Sequence, residues 1–254
     1  MIILKSANEI ALMRKAGRIV ATVLHELKER IRPGVTTLDL DQFAEKQLAL
    51  LDAESPFKGY QPARTQWPFP GATCMSVNTE IVHGVPGKRR LREGDILTVD
   101  CGANHKGWIA DGAWTFAVGT ISHETMDLLD VTEKALYASI AYARAGRCTG
   151  DVAAAMQAEV EGRGYNVIRH HTSHGVGRSL HEDPQILNHG RAGTGPRLRK
   201  GMTIALEPMV LSGNPDTKLL DDGWTVAALD GKLTAHFEHT IAITDGEAEI
   251  LTSL

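Results

Sequence analysis

Four acids in this chain stand where carboxylates are rarely placed without a task. Leu91-Arg92-Glu93-Gly94 leads into an apolar run that stops on Asp100, and Leu198-Arg199-Lys200-Gly201 leads into another that stops on Glu207. Each is followed by a second strand-like segment with its own acid, Asp111 and then Glu238. Upstream of each phrase stands a His-Gly-Val, His83-Gly84-Val85 and His174-Gly175-Val176. If the hairpin turn between the first two acids centres on His105-Lys106, Asp100 and Asp111 lie directly opposite on one face. Like charges so placed destabilise a sheet, and burial raises the cost. A divalent cation between them reverses the sign. Four acids and a histidine meeting in one pocket would therefore bind metal, and metal implies hydrolysis.

Each residue also has a plainer reading. One aspartate of the hairpin could point to solvent, and Glu207, before Pro208, could be a surface acid at a strand end. Alternation along Ala235–Ile241 puts His236, Glu238 and Thr240 on one face, which is either solvated or lines a pocket. His83 and His174 draw attention because Gly84 and Gly175 allow close backbone approach to a ligand. His181 joins them as a candidate. His170 and His171 read as exposed or structural, and His105 and His189 as turn residues.

The elements that must carry these groups are legible. Ser6-Ala7-Asn8-Glu9 is a capping box, followed by Ile10, Met13, Ala16, Ile19, Val20, Val23 and Leu24 at helical spacing. Arg32-Pro33-Gly34 ends that helix, and Thr36-Thr37-Leu38-Asp39 starts another. Residues 54–73, rich in Pro, Gly and aromatics, read as a long functional loop. Strands are expected at 95–100, 108–118, 203–206 and 233–243, and helices at 122–143 and from Thr149-Gly150-Asp151 to Val160. The phrase Gly34–Asp39 is echoed by Gly146–Asp151. Helices then strands, given twice, favour an α+β fold with antiparallel sheet. We expect a single domain over 1–254 with internal pseudo-two-fold symmetry, its halves about 1–120 and 121–254.

Composition narrows the function classes. The chain has 254 residues, 43% of them hydrophobic, and a formal net charge of −4. That sum gives no reason to expect nucleic acid or an acidic membrane as a partner. No apolar run is long enough to span a bilayer or serve as a signal peptide. Three widely spaced cysteines, Cys74, Cys101 and Cys148, form no CxxC pair and fit a reducing, cytoplasmic setting.

In order and context, Thr98-Val99-Asp100, Ala110-Asp111-Gly112, Ser173-His174-Gly175-Val176-Gly177-Arg178, Leu206-Glu207-Pro208-Met209 and Phe237-Glu238-His239-Thr240 resemble the metal-ligand motifs of the type I methionine aminopeptidases. The resemblance runs from Met13-Arg14-Lys15-Ala16-Gly17-Arg18 to Thr240-Ile241. It implies the pita-bread fold, an antiparallel sheet with helices on its outer face. It also implies two divalent ions, of cobalt, manganese, iron or zinc, held by Asp100, Asp111, His174, Glu207 and Glu238, with Asp111 and Glu238 bridging. Glu207 would serve as general acid–base, His181 would bond the scissile carbonyl and His83 the substrate backbone. The activity implied is removal of the initiator methionine from nascent proteins when the second residue is small, by a cytoplasmic monomer in transient contact with ribosomes. For the methionine pocket the resemblance points to Cys74, Trp224 and Leu180, the last where relatives often carry phenylalanine. Tyr60 and Phe69 are further candidates, from a Phe57–Gly71 stretch longer than the relatives' phrase. Thr79 replaces the acid that usually follows Asn78. Cys74 and Trp224 also read as ordinary packing residues. Two other readings keep the fold: an Xaa-Pro aminopeptidase, whose relatives usually carry a large N-terminal domain, and a binding protein that has lost catalysis. The type II enzymes carry a helical insertion between the positions of His174 and Glu207, where the span here is too short for one.

Overall fold

A computed structural model describes residues 1–63 and 65–254. Among these the helices are α1 (Ala7–Lys28), α2 (Thr37–Leu50), α3 (His123–Tyr142) and α4 (Thr149–Glu161). The strands are β1 (Cys74–Val77), β2 (Glu80–Val82), β3 (Ile96–His105), β4 (Trp108–Ala117), β5 (Asn166–Val167), β6 (Thr172–Gly175), β7 (Glu182–Leu187), β8 (Thr203–Leu206), β9 (Met209–Leu211), β10 (Thr217–Leu219), β11 (Val226–Ala228), β12 (Thr234–His236), β13 (His239–Ala242) and β14 (Glu249–Ile250). All strand pairings are antiparallel. The α+β architecture is the pita-bread fold.

Helix starts follow their caps. Ser6 and Glu9 exchange hydrogen bonds at the head of α1, as Thr36 and Asp39 do at the head of α2. Such caps contribute on the order of 1 kcal/mol each. Met13, Ala16, Val20, Val23 and Leu27 form the buried stripe of α1, which packs on β3 and β4. Helices α3 and α4 pack on each other, and α3 lies against β8, β9 and β12. The cap of α4 differs from expectation. Cys148 is its N-cap, and Asp151 accepts the Cys148 amide at 2.8 Å.

The repeated phrases fold alike. The Gly34 amide donates to Leu91 O at 2.8 Å, and the Gly146 amide to Leu198 O at 3.0 Å. Arg90 and Arg197 each return a guanidinium bond, to Gly34 O and Gly146 O. Each clamp lies just before an inner strand, β3 or β8. Strand β3 runs between β1 and β4, and β8 between β6 and β13.

Three expectations need correction. The β3–β4 turn centres on Lys106-Gly107, not His105-Lys106: His105 pairs with Trp108, and Asp100 faces Ala113 while Asp111 faces Gly102. The two acids are thus diagonal neighbours on one face. A two-residue turn matching strand twist needs positive φ at both central residues, and Lys106 (54°) with Gly107 (77°) supplies it. His105 is instead a buried strand end, its Nδ1 2.7 Å from Asp52 O. Secondly, 233–243 is not one strand. Strand β12 pairs with β9 and β13 with β8, and the chain changes sheets at Phe237-Glu238. The Glu238 amide donates to Ala113 O at 2.8 Å, pinning the switch to β4. Thirdly, the backbone approached by Gly84 and Gly175 is the chain's own. A Cβ there would lie 2.4 Å from Met75 O and 2.2 Å from Asp183 O.

Hydroxyls join β4 to β12 and β13 beside this switch. Thr240 Oγ1 accepts the Asp111 amide at 2.8 Å and donates to Asp111 O, and Thr115 Oγ1 bridges the His236 amide and carbonyl. The buried pairing sets Asp111 and Glu238 next to each other.

Candidate metal centre and substrate pocket

A cavity of about 330 Å³ is lined by residues from Phe57 to Glu238. Its walls carry Asp100, Asp111, His174, Glu207 and Glu238, and also His83, His181, Cys74, Leu180, Trp224, Tyr60 and Phe69. The structure therefore brings every candidate residue to one place. Asp111, His174 and Glu238 each offer an atom within 4.8 Å of the others. His174 Nε2 lies 3.5 Å from Glu207 Oε1. The plainer reading of solvent-facing acids does not hold: Asp111, Glu207 and Glu238 are buried.

Elements explain the aim of each group. Asp100 and Asp111 share a face of the hairpin. Glu207 follows the end of β8, where Ser173 Oγ accepts its amide at 3.0 Å. Glu238 sits in the sheet switch. His83 holds φ at 58°, a left-handed conformation that costs a non-glycine residue about 1–3 kcal/mol, and it turns the imidazole into the cavity. The bulge between His174 and Gly175 ends the regular β6–β7 pairing and starts the loop that carries Leu180 and His181.

The electrostatics favour a cation here. Burial, reinforced by the neighbouring acids, holds the Asp100, Glu207 and Glu238 carboxyls well above their ordinary range. Burial raises Asp111 to about 7, against the lowering effect of its hydrogen bonds to Asp100 and Gly112. Burial drops His83, His174 and His236 to about 3, leaving neutral imidazoles with lone pairs to offer. Asp100 Oδ1 and Glu238 Oε1 are buried without a hydrogen-bond partner among the described residues. Clustered, unsatisfied carboxylate oxygens beside a neutral imidazole are the donor set that divalent transition ions take.

The other wall is apolar. Phe69 meets Trp224 edge-on at 5.1 Å, and Leu180 and Cys74 complete the pocket beside them. Burial, then the charge of Asp100, pushes the Cys74 thiol far up, which disfavours the thiolate, and Cys74 packs in the apolar wall. The 54–73 loop closes on itself through Phe69 N to Tyr60 O (2.8 Å) and Gly59 N to Phe69 O (2.9 Å). That closure presents both aromatics. Tyr60 does more than line the wall, because its hydroxyl lies 2.9 Å from His181 Nδ1.

Three histidines escaped the sequence reading. His170 and His171 line the cavity, the His171 ring 5.7 Å from that of His83. Nothing in their local pattern marks them. His236 is buried beside Glu207 and Glu238. Its signal was available, since strand alternation already put it on the Glu238 face. The N-terminal segment was also missed as a support. Lys5 forms a buried ion pair with Glu182, whose other oxygen accepts the Arg178 and Ser179 amides, so the segment holds the His181 loop.

Comparison with known proteins shows the family. The profile of metallopeptidase family M24 matches residues 11–245. The chain is 48% identical to methionine aminopeptidase 1 of Bacillus subtilis and 46% identical to a methionine aminopeptidase of Clostridium perfringens, over 99% of each chain. A crystal structure of the Thermotoga maritima methionine aminopeptidase superposes with a TM-score of 0.96 at 45% identity, covering 100% of both chains. A prolidase from Pyrococcus furiosus shares the fold at TM-score 0.80 and 22% identity, over 99% of this chain and 66% of its own.

Proposed function

The chain belongs to metallopeptidase family M24, and from that premise we propose that it removes the initiator methionine from nascent proteins whose second residue is small. What supports the reading is one observation: a five-residue oxygen-and-imidazole cluster and an apolar pocket open on the same cavity. In this reading Asp100, Asp111, His174, Glu207 and Glu238 hold two divalent ions, of manganese, iron, cobalt or zinc. Such ions supply Lewis acidity and acidify water toward neutral pH.

The chain's own groups do the rest. Phe69, Trp224, Leu180 and Cys74 take the methionine side chain. Glu207, buried at the strand end, takes a proton from the attacking water and returns it to the leaving amine. Tyr60 fixes the tautomer of His181. A phenol donating to Nδ1 leaves the proton on Nε2, which then donates to the oxygen of the scissile carbonyl as charge develops. His83, aimed by its left-handed backbone, bonds the substrate backbone near the leaving amine.

The proposed setting is the cytoplasm, where a monomer meets nascent chains in transient contact with ribosomes. Three free cysteines fit a reducing compartment, and no helix of the described residues is long and apolar enough to cross a membrane.

Treatment with EDTA should abolish cleavage of a Met-Ala-Ser peptide, and added manganese or cobalt should restore it. Full activity in the stripped protein would defeat the metal assignment. Cleavage of Xaa-Pro peptides in preference to Met-Ala peptides would move the chain to the other substrate class.

A further inference from the structure

His236 has no part in the chemistry above, yet it is buried beside the cluster. It ends β12, one residue before the sheet switch. Its backbone is clamped on both sides by Thr115 Oγ1, which accepts the amide at 3.0 Å and donates to the carbonyl at 2.8 Å. The side chain is 1% exposed and does not line the cavity, so it cannot touch substrate. Its Nε2 faces two carboxylates at once, 3.5 Å from Glu207 Oε2 and 3.9 Å from Glu238 Oε2. Both ring nitrogens lack a hydrogen-bond partner among the described residues. A buried imidazole left so is costly, and its clamped backbone favours partners that come to the ring.

We propose that His236 is a positioning residue for Glu207 and Glu238, donating its Nε2–H to Glu207 Oε2 and Glu238 Oε2; this rests on the two-ion reading. Glu207 is then held at Oε2, 3.5 Å from His236 Nε2, while its Oε1 lies 3.5 Å from the unprotonated His174 Nε2. A carboxylate steered in this way presents one defined oxygen to the ion and keeps it there. Outer partners of this kind commonly tune metal affinity by about 10–100-fold. The competing arrangement, in which His236 Nε2 joins Glu207 and Glu238 as a direct ligand, uses the same atoms within 4.8 Å but requires Nε2 to carry no proton.

Two measurements decide. In wild-type protein labelled with ¹⁵N-histidine and loaded with zinc, His236 Nε2 should be a protonated, pyrrole-type nitrogen, its signal assigned by its loss in His236→Gln. A deprotonated, metal-shifted Nε2 overturns the proposal, and this test needs no folded variant beyond the assignment. In calorimetry of manganese binding to the metal-free full chain, His236→Leu should weaken affinity by about 10–100-fold. His236→Gln, which keeps a side-chain N–H, should recover most of that loss. Wild-type affinity in His236→Leu overturns the role. Failure of the wild type itself to bind manganese would instead defeat the two-ion reading.

Discussion

Replacing Asp111 by asparagine should make the metal-free protein more stable, by an amount that grows with pH. Asp111 is 4% exposed, and its Oδ1 accepts the Gly112 amide at 3.0 Å, a bond an asparagine carbonyl can keep. Its carboxyl is raised by burial from 3.8 to about 7. Between those values the folded state holds a proton that the unfolded chain has released. Stability is therefore lost as pH rises through the window, at about 1.4 kcal/mol per unit. Roughly one unit of that loss is complete at pH 5 and roughly three at pH 8, so the asparagine variant should gain about 3 kcal/mol on wild type between the two. The buried histidines shift stability in the opposite direction, but they titrate in both proteins and drop out of the difference. Urea denaturation in EDTA, followed by tryptophan fluorescence, measures it. With excess manganese the gap should narrow, because the wild type gains about 2.7 kcal/mol at a hundredfold excess over Kd. A wild-type-to-variant difference that stays flat from pH 5 to pH 8 would refute the reasoning.

Other perturbations test the walls of the site. Tyr60→Phe keeps the ring but loses the 2.9 Å bond to His181 Nδ1, so kcat should fall about 2–10-fold with little change in KM, the kinetic value of one hydrogen bond. Steady-state cleavage of Met-Ala-Ser reads it. Trp224→Ala removes the edge-on partner of Phe69 and should raise KM about tenfold while kcat holds, since the lost contact is to the side chain and not to the reacting carbonyl. Lys5→Met strands Glu182 in a buried site and should cost about 3–5 kcal/mol in urea denaturation. The double variant Lys5→Met with Glu182→Gln should recover part of that loss.

Much of the site was legible because its residues sit in local phrases. The caps of α1 and α2 are set by neighbours three residues apart, and the acids of the repeated phrase stand at the ends of apolar runs. What escaped depends on contacts distant in sequence or on backbone torsions. The β3–β4 register turns on which two residues adopt positive φ, and Lys106 is not a residue whose type announces it. Strand 233–243 looks continuous because its alternation runs nearly unbroken to Ile241, whereas the split at Glu238 comes from β9 and β8 belonging to different sheets. Strands as short as β5, β10 and β14 carry too few residues for a period. Lys5 reads as an ordinary surface cation until Glu182, far along the chain, buries it.

The sheet switch at Phe237-Glu238 makes the length of this segment all-or-none. Two ladders clamp it, one on each flank, and side chains alternate in direction between them. Losing or gaining a single residue from His236 to His239 would send the Glu238 carboxylate outward while either flanking ladder kept its pairing. Length variation among relatives is thus expected to spare these four positions and to collect in the loops, such as 54–73, that enter the cavity from one end only.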